Sequence, residues 1–315
     1  MISLLHKTRT AQLLALSFFF VSCLLVSSCK QQKQAEPEQP PKYAHPKITI
    51  GLIPEVDVFT QKKRYQPLVK YLSKELDITI ELKVLSRYGN IIDNFKQLDL
   101  DAAFFGSFTG AMAIITLGVE PLARPQYTDG TSTYYGMVFV KKGSAIKTAQ
   151  DMHRKRVVFV DRATTAGYLL PVSYFNSLGI EDYSVWFEEY YFSGTHEDAI
   201  NDVLNGIADI GAAKNTVFYK MAATNKRVAE ELEILATSPH VPANGLSVRN
   251  DLPGRLKQDL KNKLLIAHQS EEGREALKAL QIEKLIETTR ADYQSVLDYA
   301  ASIGINFKTY NYNNN

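Results

Sequence analysis

The segment VVFVDRATTAGYLLP, residues 157–171, is the part of the sequence most indicative of the fold. Its first four residues are apolar and predict a buried strand, and the apolar residues after Gly167 predict a helix. The first N–H groups of a helix have no intrahelical partner, so the turn between strand and helix presents N–H groups and the hydroxyls of Thr164 and Thr165 at one point. The sequence therefore predicts an oxyanion site without a metal. Ordinary helix capping by either threonine is the alternative.

The N-terminus predicts export. Lys7 and Arg9 precede an apolar run over residues 13–26 that is too short for a helix remaining in a membrane, which indicates a signal peptide over residues 1–28. The run closes on VSSC, residues 26–29, which resembles the lipobox of bacterial lipoproteins. That resemblance implies cleavage before Cys29 and lipidation of Cys29. A chance cysteine at the end of a signal peptide is the alternative.

The resulting expectation is a protein lipid-anchored through Cys29 to a bacterial membrane, facing the periplasm or the cell exterior. Lys30 follows the cysteine, so in a bacterium with two membranes we expect the inner leaflet of the outer membrane. Residues 29–46 are polar and proline-rich and predict a lipidated cysteine followed by a disordered tether. Lys7 and Arg9 account for the net charge of +2, so the sequence indicates no nucleic-acid partner.

From residue 47 onward, predicted strands and helices alternate. The predicted strands are at 48–53, 78–85, 101–105, 156–160, 186–191, 208–212 and 244–249, and the predicted helices are at 65–76, 89–98, 106–117, 167–178, 197–205, within 253–280 and at 292–303. This alternation favours open parallel sheets with helices on both faces. We expect two α/β lobes, 47–140 plus 241–310 and 141–240, hinged near 138–144 and 235–244 around a ligand cleft.

Segments spread over residues 48–303 are similar to those of one protein family. They are GLIPE at 51–55, YQPL at 65–68, Tyr88, DAAFFG at 101–106, VD at 160–161 with TTAG at 164–167 and Pro171, GTHEDA at 194–199, and NGIAD at 205–209. Together they resemble the periplasmic phosphonate-, phosphite- and phosphate-binding proteins of ABC importers. The resemblance implies a type II periplasmic binding protein fold, with two doubly wound α/β lobes and the ligand between them. It also implies capture of a small phosphorus oxyanion and its delivery to an ABC permease.

The resemblance implies a role for each residue of the turn. In the family the turn is usually Ser-Thr-Ser-Gly, and its hydroxyls and amides hold the phosphonate oxygens. Thr164 and Thr165 match the first two positions, Ala166 replaces the third hydroxyl but keeps its N–H, and Gly167 matches the last. Each charge-assisted hydrogen bond contributes about 1.5–3 kcal/mol. We therefore expect the loss of one donor to weaken or retune the site without abolishing it.

Other segments are expected to add donors to the same anion. Tyr88 would donate its phenol, and its alternative is a core or rim aromatic residue. Ser107 begins a helix that follows a predicted strand, and its alternative is a plain helix N-cap. His196 matches a histidine of the family, and a bound dianion would favour its protonated form. A surface histidine is the alternative there.

The sequence gives fewer indications of which ligand is selected. Asn215 stands where phosphite binders of the family have an aspartate that reaches the ligand, so we expect Asn215 to contact the ligand as a neutral group. Glu55 and Asp57 follow the first strand and would face the cleft mouth, unless they are solvated loop acids. Whether the ligand carries an amine stays open.

The sequence favours binding over catalysis. It contains neither His-Glu-x-x-His nor Gly-x-Ser-x-Gly, and His153, His196 and His240 are far apart. We therefore expect no catalytic residues, no metal site and no cofactor. The expected partners are the small oxyanion and the permease, and the expected state is a monomer. The alternative is a sensory lipoprotein or input module that partners a membrane kinase, which the neighbouring genes would distinguish.

Overall fold

The computed structural model describes residue 43 and residues 47–314, which belong to one compact unit, Lys42–Asn315. The predicted signal peptide, Cys29 and most of the predicted tether lie outside the described residues. Tyr43 falls within the expected tether but is buried, and its hydroxyl donates to Asp259 at 2.6 Å. The folded part therefore makes contacts before residue 47.

The first sheet has six strands in the order β13-β4-β12-β3-β1-β2. Strand β1 is parallel to β2 and β3, whereas β12 is antiparallel to β3 and β4, and β13 is antiparallel to β4. Its strands are β1 Lys47–Leu52, β2 Thr79–Val84, β3 Ala102–Phe105, β4 Glu120–Gln126, β12 Gly245–Val248 and β13 Lys284–Glu287. We call this sheet with its helices the first lobe.

The second sheet has five strands in the order β10-β6-β9-β7-β8. Strand β7 is parallel to β8 and β9, while β6 is antiparallel to β9 and β10. Its strands are β6 Gly136–Lys141, β7 Arg156–Phe159, β8 Glu189–Phe192, β9 Ile210–Lys214 and β10 Leu232–Thr237. We call this sheet with its helices the second lobe. Both sheets are mixed rather than parallel as expected, because β12, β13 and β6 run antiparallel to the strands they pair with.

Helices connect and cover the strands. The α-helices of the described residues are Val58–Leu76, Asn90–Gln97, Ser107–Thr116, Ala149–Met152, Leu170–Ser177, Tyr183–Trp186, His196–Leu204, Asn215–Thr224, Lys226–Glu231, Gly254–Ile266, Glu271–Leu280 and Gln294–Ser302, with a π-helix at Thr165–Leu169 and 3₁₀-helices at Ala267–Gln269 and Arg290–Tyr293. On one face of the first sheet, Ile48 and Ile50 share a core with Leu68. On the other face, Phe105 shares a second core with Ile91. Burial on both faces explains the apolar runs of the central strands.

The crossing between the lobes lies ahead of β6. Two short strands, β5 Thr133–Tyr134 and β11 Val241–Pro242, pair antiparallel outside both sheets. The next strand, β6, pairs within the second sheet. Residues 136–140, which were expected in the first lobe and partly in the hinge at 138–144, therefore belong to the sheet of the second lobe. An apolar strand such as β6 suits either sheet, and its sequence does not show which neighbours it will pair with.

The helix after β7 begins as a π-helix, Thr165–Leu169, which continues into the helix Leu170–Ser177. Gly167 lies in this first turn, where an added Cβ would come within 2.4 Å of Cβ of Val160. Only glycine lets the turn pack so closely on the strand behind it. This close packing fixes the position of the turn that the sequence singled out.

The C-terminal segment contacts both lobes. Tyr310 donates its hydroxyl to the carbonyl of Arg162 at 3.0 Å, and Oδ1 of Asn314 accepts from the N–H of Arg162 at 3.0 Å. In the first lobe, the hydroxyl of Tyr312 bonds to Asp93. The turn that follows β7 is therefore supported from outside by a segment that also holds the first lobe.

Candidate anion site

Residues from both lobes meet in a small cavity. Ser107 follows β3 of the first lobe, Thr164 and Thr165 follow β7 of the second, and Lys214 ends β9. The lining residues are Ile53, Glu55, Tyr88, Gly106, Ser107, Phe108, Tyr134, Ala163, Thr164, Thr165, His196, Lys214 and Asn244. The volume of about 10 Å³ is near the least that admits one water molecule. The side chains are thus nearly in contact, and a larger anion requires the lobes or the hydroxyls to move apart.

Three buried hydroxyls form a network across the lobes. Oγ of Ser107 lies 2.5 Å from the hydroxyl of Tyr134 and 2.7 Å from Oγ1 of Thr165. The helix Ser107–Thr116 is preceded by Gly106 and has no side-chain cap bond, so Ser107 is not a plain N-cap. Three hydroxyls carry three protons, and the two bonds use two of them. The network therefore has one O–H group left to donate to an anion.

Thr164 is bound within its own turn. Its Oγ1 donates to the carbonyl of Asp161 at 2.6 Å, and its N–H donates to the same carbonyl at 3.0 Å. Its side chain does not cap the helix that follows. Because the hydroxyl proton of Thr164 is already used, Thr165 is the threonine of this turn whose side chain reaches the shared network.

Ala166 and Gly167 lie beside the cavity and are not part of its wall. Ala166 is buried against Gly136 of β6, where an added Cβ on Gly136 would come within 3.3 Å of Cβ of Ala166. A larger side chain at residue 166 would therefore meet β6. What Ala166 and Gly167 can offer an anion is their backbone N–H groups in the first turn of the helix.

Tyr88 brings an unpartnered hydroxyl into the cavity wall. The residue is 3% exposed, and its hydroxyl has no hydrogen-bond partner among the described residues. Burial, together with the negative charge of Glu55, raises the pKa of Tyr88 well above its ordinary value, so the phenol stays protonated. A buried donor without an acceptor costs about 1–3 kcal/mol. An anion in the cavity would supply the acceptor that Tyr88 lacks.

Lys214 places a positive charge in the cavity. Its Nζ lies 2.8 Å from Oε1 of Glu55, 3.1 Å from Oδ1 of Asn244 and 4.4 Å from the centre of the Tyr134 ring. Burial alone would lower the pKa of Lys214, but the carboxylate of Glu55 outweighs it and the pKa is raised. Burial raises the pKa of Glu55, and the ammonium of Lys214 more than offsets it. Both groups are therefore charged.

His196 is neutral in this arrangement. The backbone N–H of Lys214 donates to its Nδ1 at 3.3 Å, so the ring proton belongs on Nε2. Burial, with the positive charge of Lys214, lowers the pKa of His196 to about 3. The expected protonated form is thus not the form of the site without an anion, because burial disfavours a charged ring and the carboxylate of Glu55 does not offset it. His196 is buried and lines the cavity, which excludes a surface histidine.

The structure places Asn215 outside the cavity, in the wall of a neighbouring cleft, so its expected contact with the ligand stays a prediction. Its Oδ1 accepts from the N–H of Tyr135 at 3.1 Å, and its side chain faces this cleft. The preceding residue, Lys214, reaches the cavity instead. Successive residues of an extended chain point to opposite sides, so an error of one position exchanges the two directions.

Sequence reasoning missed Lys214, Tyr134 and Asn244, and it placed Glu55 only at the cleft mouth. The strand β9 reads IGAAK, and all five residues are buried. A lysine that ends a fully buried strand must have a partner for its charge, which is the signal that would have found it. Asp57 accepts from the N–H groups of Phe59 and Thr60 and caps its helix.

Two features of the described residues bear on metal binding and on membrane spanning. No group of three or more His, Cys, Asp or Glu side chains is placed to hold a metal ion in this part of the chain. Within the same residues, every helix is too short or too polar to cross a membrane.

Comparison with known proteins gives the family. The family model described as ABC transporter, phosphonate, periplasmic substrate-binding protein matches residues 50–293. A probable ABC transporter phosphite binding protein of Prochlorococcus marinus is 25% identical over 256 residues, which cover 79% of this chain and 83% of that protein. A phosphate-import protein of Mycolicibacterium smegmatis is 27% identical over 207 residues, covering 62% of this chain and 64% of that protein.

A solved structure agrees with the fold. The Prochlorococcus marinus protein PhnD1 in complex with methylphosphonate matches with a TM-score of 0.73 and 21% identity, covering 82% of this chain and 98% of that one. The predicted type II fold with two α/β lobes is confirmed. With the family match over most of its length, the chain belongs to the phosphonate-binding family of periplasmic substrate-binding proteins of ABC transporters.

Proposed function

We propose that this protein captures a phosphonate, phosphite or phosphate ion in the cavity between its lobes and delivers it unchanged to an ABC permease. The observation that carries the proposal is that the unpartnered buried hydroxyl of Tyr88 and the charged ammonium of Lys214 line the same cavity. A buried donor and a buried cation in one small cavity fit an anion of high charge density. No step of catalysis is part of this function.

The donors suit the shape of a tetrahedral anion. The hydroxyls of Ser107 and Thr165 approach from opposite lobes and Tyr88 lies in the same wall. The Nε2–H of His196 and the N–H groups of Ala166 and Gly167 are further candidate donors. Oxygens in several directions can accept from donors on both lobes only when the lobes are close together. Binding would therefore stabilise the closed clamp.

The polar groups of the site can exchange their present partners for an anion. In the structure, Ser107 bonds to Thr165 and Tyr134, and Lys214 pairs with Glu55. An anion would replace the hydroxyl–hydroxyl bonds with charge-assisted bonds, which are about twice as strong as neutral ones. It would also share the ammonium of Lys214 with Glu55. Asn215 contributes to the neighbouring cleft rather than to this anion.

In this proposal, each lobe is one of the two sheets with its helices. The first lobe comprises residues 47 to about 132 and the chain from about 243, and the second comprises residues from about 136 to about 240. The β5–β11 ribbon would be the hinge between them. We further propose that the protein acts as a monomer tethered by lipid on Cys29, with residues 1–28 removed.

A thermal-unfolding panel tests the proposal. Purified protein is mixed with phosphate, phosphite or methylphosphonate, with sulfate and acetate as controls. At 100 times its dissociation constant a ligand stabilises the protein by about 2.7 kcal/mol. We expect this for at least one phosphorus oxyanion. Stabilisation by sulfate or acetate alone, or by none of the five ions, would contradict the assignment.

A further inference from the structure

A second and larger cleft adjoins the anion cavity. Its volume is about 490 Å³, within the usual range for small-molecule sites. Asn244 belongs to the walls of both spaces. Phosphite and methylphosphonate are too small to need this additional volume. The cleft therefore gives room for a substituent on the phosphorus group.

Two cations face this cleft from opposite lobes. Arg64 lies on the helix Val58–Leu76 and Lys220 on the helix Asn215–Thr224. Among the described residues, neither side chain has a hydrogen bond or an ion pair, and Nε of Arg64 is buried without a partner. Burial and the positive charge of Arg64 lower the pKa of Lys220. The two cations therefore repel each other, and in the part of the chain described neither forms an ion pair, although Glu197 and Glu55 attract Lys220 from farther away.

The nearby carboxylates do not neutralise this pair. Glu55 is bound to Lys214, and Asp57 accepts from the first N–H groups of its own helix. Glu197 lines the cleft in the first turn of the helix His196–Leu204, where a negative charge is favoured by the helix dipole. Glu197 attracts Lys220 but forms no ion pair with it.

Apolar side chains line the way between the two charged regions. The rings of Tyr65 and Phe104 pack with their centres 4.8 Å apart, and both belong to the cleft wall. Met221 faces the same space from the second lobe. A short carbon chain can lie against such a surface, since burial of each CH₂ contributes about 0.8 kcal/mol.

We propose that the ligand extends from the anion cavity into this cleft and ends in a second anionic group, a carboxylate or another phosphoryl group, bound between Arg64 and Lys220. This inference rests on the proposed function, because the first phosphoryl group must occupy the cavity. The substrate class is thus an organophosphonate or phosphate monoester with a negative charge at its far end.

Calorimetry with four matched ligands tests the inference. Each has the form X–CH₂–CH₂–PO₃, where X is a carboxylate, a second phosphonate, a methyl or an ammonium group, and each has a homologue with one further CH₂. We expect the better of the two doubly anionic ligands to bind at least about tenfold more tightly than the methyl ligand, which corresponds to about 1.4 kcal/mol. The ammonium ligand should bind most weakly, and the two acids decide which second anion is preferred.

Substitutions locate the effect. Arg64→Gln and Lys220→Gln should each remove most of the advantage of the acidic ligands while leaving the affinity for the methyl ligand within about twofold. Lys63→Gln is the matched control, since the same helix loses one charge at an exposed position outside this cleft. An advantage that survives both substitutions in the cleft would place the second anion elsewhere and overturn the inference.

The ligand ranking itself separates this inference from the proposed function. If the methyl ligand binds and the acidic ligands bind no better, or the ammonium ligand binds best, the second anion site is wrong and the phosphorus-oxyanion site stands. If no phosphonate or phosphate binds at all, both are wrong.

Discussion

The anion cavity and the neighbouring cleft share Asn244 but satisfy their polar groups in opposite ways. In the cavity, most groups bind each other: Ser107 bonds to Thr165, and Lys214 pairs with Glu55. In the cleft, cations from the two lobes lack a partner among the described residues. An anion in the cavity would therefore have to displace partners that are already bound, whereas an anion in the cleft would meet cations that have none.

The largest expected effect comes from removing the charge of the cavity. Lys214→Met should lower the affinity for the preferred oxyanion by at least about 30-fold, because truncating one partner of a buried charge pair costs about 2–5 kcal/mol. The variant also leaves Glu55 buried without its ammonium and should be less stable.

A double variant separates these two effects. Lys214→Met with Glu55→Gln should recover much of the lost stability in denaturant unfolding but none of the lost affinity in calorimetry. Wild-type affinity in the single variant would show that the cavity recognises its ligand without the charge of Lys214, which would contradict this prediction.

The next effect concerns Tyr88 of the cavity, whose hydroxyl, like the cations of the cleft, has no hydrogen-bond partner among the described residues. Tyr88→Phe should reduce affinity by about 1.5–3 kcal/mol, roughly ten- to a hundredfold, because a donor to the anion is lost. Without ligand, the same change should leave stability unchanged or raise it by up to about 1 kcal/mol, since an unsatisfied buried group is removed. Lower stability with unchanged affinity would assign Tyr88 a purely structural role.

A smaller effect is expected at Thr165, whose hydroxyl already has a partner in Ser107. Thr165→Val removes a donor to the anion but also a bond of the free protein, so the net loss of affinity should be about tenfold, or 1.4 kcal/mol. Thr165→Ser keeps the hydroxyl and should bind nearly as tightly as the wild type. Equal affinities of the two variants in calorimetry would show that the hydroxyl does not contact the ligand.

A last effect, on stability rather than affinity, concerns pH and His196, whose pKa is lowered to about 3 by burial. The unfolded chain then binds a proton at this residue between about pH 6.5 and 3 while the folded protein does not, so stability falls as the pH falls. His196→Asn keeps an acceptor for the N–H of Lys214 and should reduce the slope by up to about 1.4 kcal/mol per pH unit. An unchanged slope between pH 6 and 4 in denaturant unfolding would show that His196 does not titrate in this way.

Local sequence patterns predicted the parts of the fold that depend on neighbours in the chain. The strands near residues 50, 103 and 158 and the helix after Ser107 were found from apolar spacing. The strand β4 was missed because it reads EPLARPQ, and prolines at 121 and 125 argue against a strand. It forms because neighbouring strands pair with it on both sides.

For the candidate site, too, the sequence predicts some residues and misses others. Tyr88, Ser107, Thr164, Thr165 and His196 were expected together, and the structure brings all five to one cavity. Their role in binding stays a prediction. Asn215 was expected to contact the ligand and lines the neighbouring cleft. Lys214 and Glu55 of the cavity could not be identified as a pair from the sequence, because 159 positions separate them.

The amino-acid sequence identifies the residues that can offer hydrogen bonds and the points where strands turn into helices, because both depend on side-chain chemistry and on residues a few positions apart. Which donors keep a partner follows from the packing of the two lobes. The lysine at the end of β9 contacts Glu55 and Asn244 of the other lobe, while Arg64 and Lys220 line one cleft and form no ion pair among the described residues. Charge pairing across two lobes depends on how separate sheets pack, and no local pattern in the chain encodes that packing.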